Sequence, residues 1–146
     1  MSGRVGSVRG GVRPGAGVPL GRLKRRPEFL AVAGTRRRWV APGLILQVRR
    51  RGENAPPTVA ADAVRVGFTA SRKVGNAVAR NRAKRRLRAA AGAVLPLHGA
   101  PGHDFVLIAR ATTAERPFAE LTADIERGLC NLKVWQDGAP STDVRS

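Results

Sequence analysis

Val64, Val66, Phe68 and Ala70 alternate with Arg65, Gly67, Thr69 and Ser71, the two-residue period of a strand with one buried face. Leu44 to Val48 and the run DFVLIA at 104–109 are nearly continuous apolar stretches and read as buried strands, the second a central one. A short strand is predicted over 36–40, before the Pro42-Gly43 break. Three segments carry a helical period. Pro27, followed by Phe29, Leu30 and Val32 and closed by Gly34, predicts a short helix over about 27–33. From about 76 to 95, Ala79, Ala83, Leu87, Ala90 and Val94 fall on one stripe at about 100° per residue. The stripe is mostly alanine, so this helix can lie close against a sheet. Pro96, Gly99, Pro101 and Gly102 are expected to end it. Pro117 opens a last helix with Phe118, Leu121, Ile125, Leu129 and Leu132 on one face. The element order is α-β-β-β-α-β-α, a single α/β domain of the α+β sandwich type. The strand–helix–strand succession around the long helix predicts a parallel pair.

The ends of the chain lack this patterning. Residues 1–21 hold seven Gly, two Pro and three Arg, too little apolar surface to offset the entropy of ordering, and read as a disordered extension. Residues 136–146 read as a flexible tail, which leaves 22–135 as the folded domain. Residues 51–62, RGENAPPTVAAD, read as a surface loop. The N-terminal segment has no apolar core of a secretory signal, and no apolar run is long enough for a membrane helix. Cys130 is the one cysteine, which excludes an internal disulfide and a cysteine-based zinc site; packing is its expected role.

Charge changes the picture most. Of the 146 residues, 27 are Lys or Arg and 10 are Asp or Glu, a formal net charge of +17. That excess points to a polyanionic partner, nucleic acid ahead of an anionic membrane. The charge is divided unevenly: residues 1–88 hold 22 basic and 3 acidic side chains, whereas 89–146 hold 5 basic and 7 acidic. One half binds anions and the other supports it.

The densest stretch is RKVGNAVARNRAKRRLR at 72–88, with eight basic residues and no acid. It contains Arg72 and Lys73, then Arg80, Arg82, Lys84, Arg85, Arg86 and Arg88 on the long helix. Arg80, Lys84 and Arg88 form one ridge, Asn81 and Arg85 a second, Arg82 and Arg86 a third. Like charges at this spacing destabilise an isolated helix by roughly 0.2–0.5 kcal/mol per pair, a cost that a polyanion removes. Arg80 and Arg82 lie about 200° apart around the helix, so the Arg80 ridge is expected to face one RNA and the Arg82–Arg86 side another. Gly75-Asn76 is either a plain turn or a place where helix N-terminal amides meet a phosphate. Smaller basic clusters stand at 22–26, 36–38 and 49–51 and read as solvated or backbone-contacting patches. Phe29 and Trp39 lie beside two of them; Phe29 is equally a core residue, and either ring can stack on an unpaired base. Trp135 reads as packing. No catalytic set is apparent. His98 and His103 lie in or beside a Pro/Gly-rich loop, the pair His103-Asp104 reads as strand-edge polarity, and the basic half offers only Glu28, Glu53 and Asp62 as acids.

The run RVGFTASRKVGNAVARNRAKRRLR at 65–88 closely resembles the signature region of the bacterial ribonuclease P protein subunit, including its Arg-Asn-Arg motif at Arg80, Asn81 and Arg82. RLKRRPEFLAV at 22–32 resembles the opening basic segment and first helix of that family, and 103–125 its later strand and closing helix. The resemblance implies the same element order, with an unusual left-handed crossover through the basic helix where general strand handedness favours a right-handed one. It implies a chain that is not itself catalytic. Its partners are then a catalytic RNA that uses Mg²⁺ and the precursor tRNA whose 5′ leader that RNA removes. No cofactor on the protein, no further protein partner and no membrane are expected, and the location is the bacterial cytoplasm. The leader is expected in a cleft between the first helix and the sheet, with Phe29, Trp39 and Thr69 as lining candidates. Two positions depart from the aromatics common in that cleft: Ala33 one turn after Phe29, and Gln47 on the second strand. The competing reading is a basic ribosomal or RNA-chaperone-type protein. A protein-only nuclease would need a carboxylate or histidine set that the sequence does not offer.

Overall fold

The computed structural model describes residues 20–52 and 62–136. Residues 1–19 of the expected disordered extension, most of the 51–62 loop and residues 137–146 of the expected tail lie outside the described residues. The elements are β1 (Leu20–Arg22), α1 (Arg26–Gly34), β2 (Arg38–Val40), β3 (Leu44–Arg50), β4 (Val64–Ala70), a 3₁₀ turn (Arg72–Val74), α2 (Ala77–His98), β5 (His103–Ala109) and α3 (Phe118–Asn131). The seven predicted elements occur in the predicted order. β1 is an addition, and its Leu20 and Gly21 belong to the segment expected to be disordered. Three residues, LGR, carry no readable period; β1 exists because it pairs in parallel with β4, Leu20 opposite Val64 and Arg22 opposite Val66.

The five strands form one sheet in the order β1-β4-β5-β3-β2. β4 and β5 pair in parallel, Arg65 opposite Asp104 through Ala70 opposite Ala109, as the strand–helix–strand pattern predicts. β5 pairs antiparallel with β3, and β3 with β2.

The period of two sorts the strand residues onto two faces. Leu44, Leu46 and Val48, Val64 and Val66, and Phe105, Leu107 and Ala109 face α2 and α3 and form the main core with Leu87, Leu95, Leu121, Ile125 and Leu129. Each such Leu or Phe, once buried, contributes roughly 1.5–3 kcal/mol of transfer free energy. The alanine stripe behaves as expected: Ala83, Ala90 and Ala91 are fully buried, which brings α2 close to the sheet. Gly128 does the same for α3, since a Cβ there would lie 2.8 Å from Leu46 and from Trp39. The opposite face carries α1 and a smaller cluster of Leu23, Val32 and Val106 with Phe29 and Ile108.

α2 runs through Pro96 to His98, three residues further than predicted. A proline in the last turn forfeits one main-chain hydrogen bond, and Val94 and Leu95 are buried deeply enough to carry the helix past it. Gly99 then ends the helix and bridges to Trp135. Cys130 is exposed, contrary to the packing role expected of it, because Leu129 and Gly128 occupy the buried side of that turn.

Candidate nucleic-acid interface

Two surfaces meet along the outer edge of β4. The first is a groove on the α1 face. Gly67 has no side chain, and the Phe29 ring fills the space above it: a Cβ on Gly67 would stand 2.5 Å from that ring. Phe29, Phe68, Thr69, Lys24 and Arg26 line an open groove of about 450 Å³. Phe29 and Thr69 therefore stand together, as expected of cleft residues. Trp39 does not join them. It pairs with Leu46 across β2 and β3, so it shares the α3 face of the sheet and packs beside Gly128. Its buried Nε1 has no hydrogen-bond partner. The cleft positions where aromatics are missing line a second recess of about 290 Å³, made by Ala33, Arg36, Arg38 and Gln47.

α1 is held over the sheet by an ion network. Glu28 accepts hydrogen bonds from the Lys24 and Arg25 amides at 2.9 and 3.0 Å, capping the helix, and pairs with Arg65 at 3.0 Å. The Arg25 amide, then that of Lys24 and the Arg65 charge, hold the Glu28 carboxyl below its ordinary value against an opposing effect of burial. Arg65 grips Asp104 with two hydrogen bonds of 2.9 and 2.8 Å, and Arg51 reaches the same carboxylate at 2.6 Å. Asp104 is 1% exposed. It is thus the buried anchor of two arginines, not the strand-edge polarity expected of it; its partners lie on β4 and in the loop after β3, far away in sequence. His103 instead faces the Pro101 carbonyl, and burial holds its imidazole below the ordinary histidine value. His98 stacks on Trp135 at 3.9 Å between centroids.

The second surface is α2. Asn76 caps it by accepting from the Ala79 amide at 2.9 Å; Gly75 before it has φ 141°, and a Cβ there would also stand 2.9 Å from Ala79. Arg72 and Lys73 are exposed in the turn just before it. Asn81, Arg82, Arg85 and Arg88 are exposed along the helix, and Lys84 is half-buried. Two arginines hold the fold as well. Arg80 donates to the Gly75 carbonyl at 2.9 Å, and Arg86 donates to the carbonyls of Thr113 and Ala114 at 3.0 and 2.7 Å. The flanks diverge as the spacing predicts. Arg88 stands over Phe68 at the groove, whereas Arg86 lies on the other side against the loop before α3. Arg22 also lies near Phe68, a proximity that only the β1–β4 pairing reveals.

Among the described residues no three His, Cys, Asp or Glu side chains come together to hold a metal, and Asp104 and Asp124 are both engaged by arginines. No described helix is long and apolar enough to cross a membrane.

A basic helix beside a partly aromatic groove, on one small α/β sandwich, defines an RNA-binding platform. The family model for ribonuclease P matches residues 20–133, and the chain belongs to that family. The ribonuclease P protein component of Paramagnetospirillum magneticum is 52% identical over 120 residues, covering 80% of this chain and 86% of the relative. That of Ruegeria pomeroyi is 51% identical over 111 residues, covering 75% and 84%. Two solved structures share the fold. The RNase P protein of Staphylococcus aureus has a TM-score of 0.61 at 23% identity, covering 79% of this chain and 97% of its own. That of Thermotoga maritima has 0.55 at 24%, covering 77% and 94%.

Proposed function

We propose that this chain is the RNA-binding protein subunit of a ribonuclease P holoenzyme, in which a partner RNA cleaves the 5′ leader from precursor tRNA with Mg²⁺. The observation that carries this is the divergence of the two flanks of α2. One adjoins the groove of Phe29 and Thr69 and the other turns away from it, so one helix serves two RNA surfaces. Arg88, Lys84 and Arg80 attend the leader strand leaving the groove. Asn81, Arg82 and Arg85 meet the catalytic RNA. Arginine forks grip phosphates bidentately, which suits this division. The protein supplies positive charge and position, and the RNA with its Mg²⁺ supplies the hydrolysis. The place of action is the cytoplasm of a bacterium, where precursor tRNA is made.

The test is precursor tRNA cleavage at low Mg²⁺ by the protein alone, a bacterial ribonuclease P RNA alone, and the two mixed. Enhancement in the mixture, weakened by salt and by Arg82→Ala with Arg85→Ala, supports the reading. Cleavage by the protein alone overturns it. Tight, salt-sensitive binding to both RNAs without enhancement would instead mark a general RNA-packing protein.

A further inference from the structure

Phe68 lies just beyond the end of β1, on an edge of β4 that β1 no longer covers: the last paired residues are Arg22 and Val66. Its side chain packs on the main core, and the residue is one of those lining the groove with Phe29 and Thr69. Two guanidinium groups converge on it. The Arg22 carbon is 5.6 Å from the ring centroid and the Arg88 carbon 5.7 Å. They come from opposite ends of the basic half, Arg22 from β1 and Arg88 from α2. Both residues are exposed, and neither has an acidic partner among the described residues. Glu28, on the helix that follows β1, is taken by Arg65. The negative face of one phenyl ring attracts each cation but does not neutralise it. The fold thus gathers two unneutralised arginines at the point where the groove opens onto the Arg80–Lys84–Arg88 ridge.

We infer that Arg22, Phe68 and Arg88 form a phosphate clamp for a single RNA strand at the mouth of the groove. The ring fixes the two guanidinium groups, and these hold a phosphodiester by charge-assisted hydrogen bonds. The inference rests on the leader reading above, and the strand is the leader of precursor tRNA. Charge complementarity selects a polyanion. Continuity with the groove lined by Phe29 and Thr69 selects the single strand over a duplex. Arg22 is then a binding residue and Phe68 a positioning residue.

The experiment uses the reconstituted holoenzyme and two precursor tRNAs, one with a long leader and one with a single-nucleotide leader. Arg22→Gln should lower the ratio of long-leader to short-leader affinity about 3–10-fold. It should also reduce the salt slope of long-leader binding by about 0.7, the value for one single-strand phosphate contact. Phe68→Leu keeps an apolar side chain on the core but removes the ring; it should lower the same ratio by a smaller factor, with Arg22 and Arg88 both present. Arg127→Gln, an exposed charge on α3, is the control and should leave the ratio unchanged. Thermal melts confirm that each variant is folded. Equal losses on both substrates, a loss of affinity for the catalytic RNA instead, or an unchanged ratio in Arg22→Gln would overturn the clamp. An unchanged ratio in Phe68→Leu would overturn the positioning role of the ring. Failure of the underlying reading is distinct: the wild-type holoenzyme would then show no leader dependence.

Discussion

The arginines buried in the framework and those of α2 are the same residue put to opposite uses. Arg51 and Arg65 lie buried against Asp104, and half-buried Arg116 holds buried Asp124 with hydrogen bonds of 2.7 and 3.0 Å. Arg82, Arg85 and Arg88 stand exposed on a helix that has no acid at all. What separates the two groups is whether the fold places a carboxylate opposite. A paired guanidinium is part of the framework. An unpaired one keeps its hydrogen-bonding fork for an external anion. Net charge alone is blind to this difference. Several of the 27 basic side chains counted at the outset are spent on the protein itself.

The sharpest way to break the comparison is Asp104→Ala, which leaves Arg51 and Arg65 buried without their carboxylate. Removing one partner of a buried ion pair costs about 3–5 kcal/mol, and urea denaturation should show a loss of that size. RNA affinity measured well below the midpoint should change little. Arg86→Ala tests the mixed case. Its guanidinium bonds the carbonyl of Thr113, a residue fully buried, so about 1–2 kcal/mol of stability should go, read as a fall in the denaturant midpoint. Gly67→Ala pushes the Phe29 ring from its seat and should cost about 1 kcal/mol by thermal melting. Long-leader precursor tRNA should then lose affinity more than catalytic RNA does.

Glu28 gives a smaller effect that depends on pH. Its folded carboxyl titrates below the ordinary 4.5, so its contribution is present above that value and is lost as pH falls through the folded one. Glu28→Gln should flatten the acid limb of a stability profile between pH 6 and 3. Arg85→Ala, at the other extreme, should leave the melting temperature unchanged. It should lower the salt slope of catalytic RNA binding by less than one unit. A clear loss of stability in that variant would erase the distinction drawn between the two sets.

The legibility of each feature follows from the range of the forces behind it. α2, β4 and β5 were readable because period and composition are local properties. The basic ridges were readable because helix geometry alone fixes which residues align. Trp39 was misplaced because its face depends on register: it pairs with Leu46, and Leu46 points to α3, a parity that no stretch of 36–40 carries by itself. Asp104 was misread beside His103, its neighbour in sequence, while its partners stand 39 and 53 positions away. Phe29 is singled out by its place beside a basic cluster and Thr69 by family likeness alone, and the bare Gly67 beneath the Phe29 ring is the physical reason an aromatic fits there. Arg22 reads from sequence only as part of a solvated or backbone-contacting patch, since nothing local says that β1 lies against β4.

The strand order has a consequence for how the chain is made. β5 is the middle strand of the sheet and the last to be synthesised. Without β5, β1 pairs only with β4 and β2 only with β3, and the two pairs have no common neighbour until residues 103–109 are made. Every basic residue of α2 leaves the ribosome before that closing strand does. The nascent chain is therefore strongly cationic, and its cationic half is complete before its hydrophobic core can be. The closing strand arrives with Asp104, which draws Arg51 and Arg65 inward as the sheet zips together. The place of β5 in the chain thus fixes the order in which charge and core become complete: the cations first, the closed sheet last.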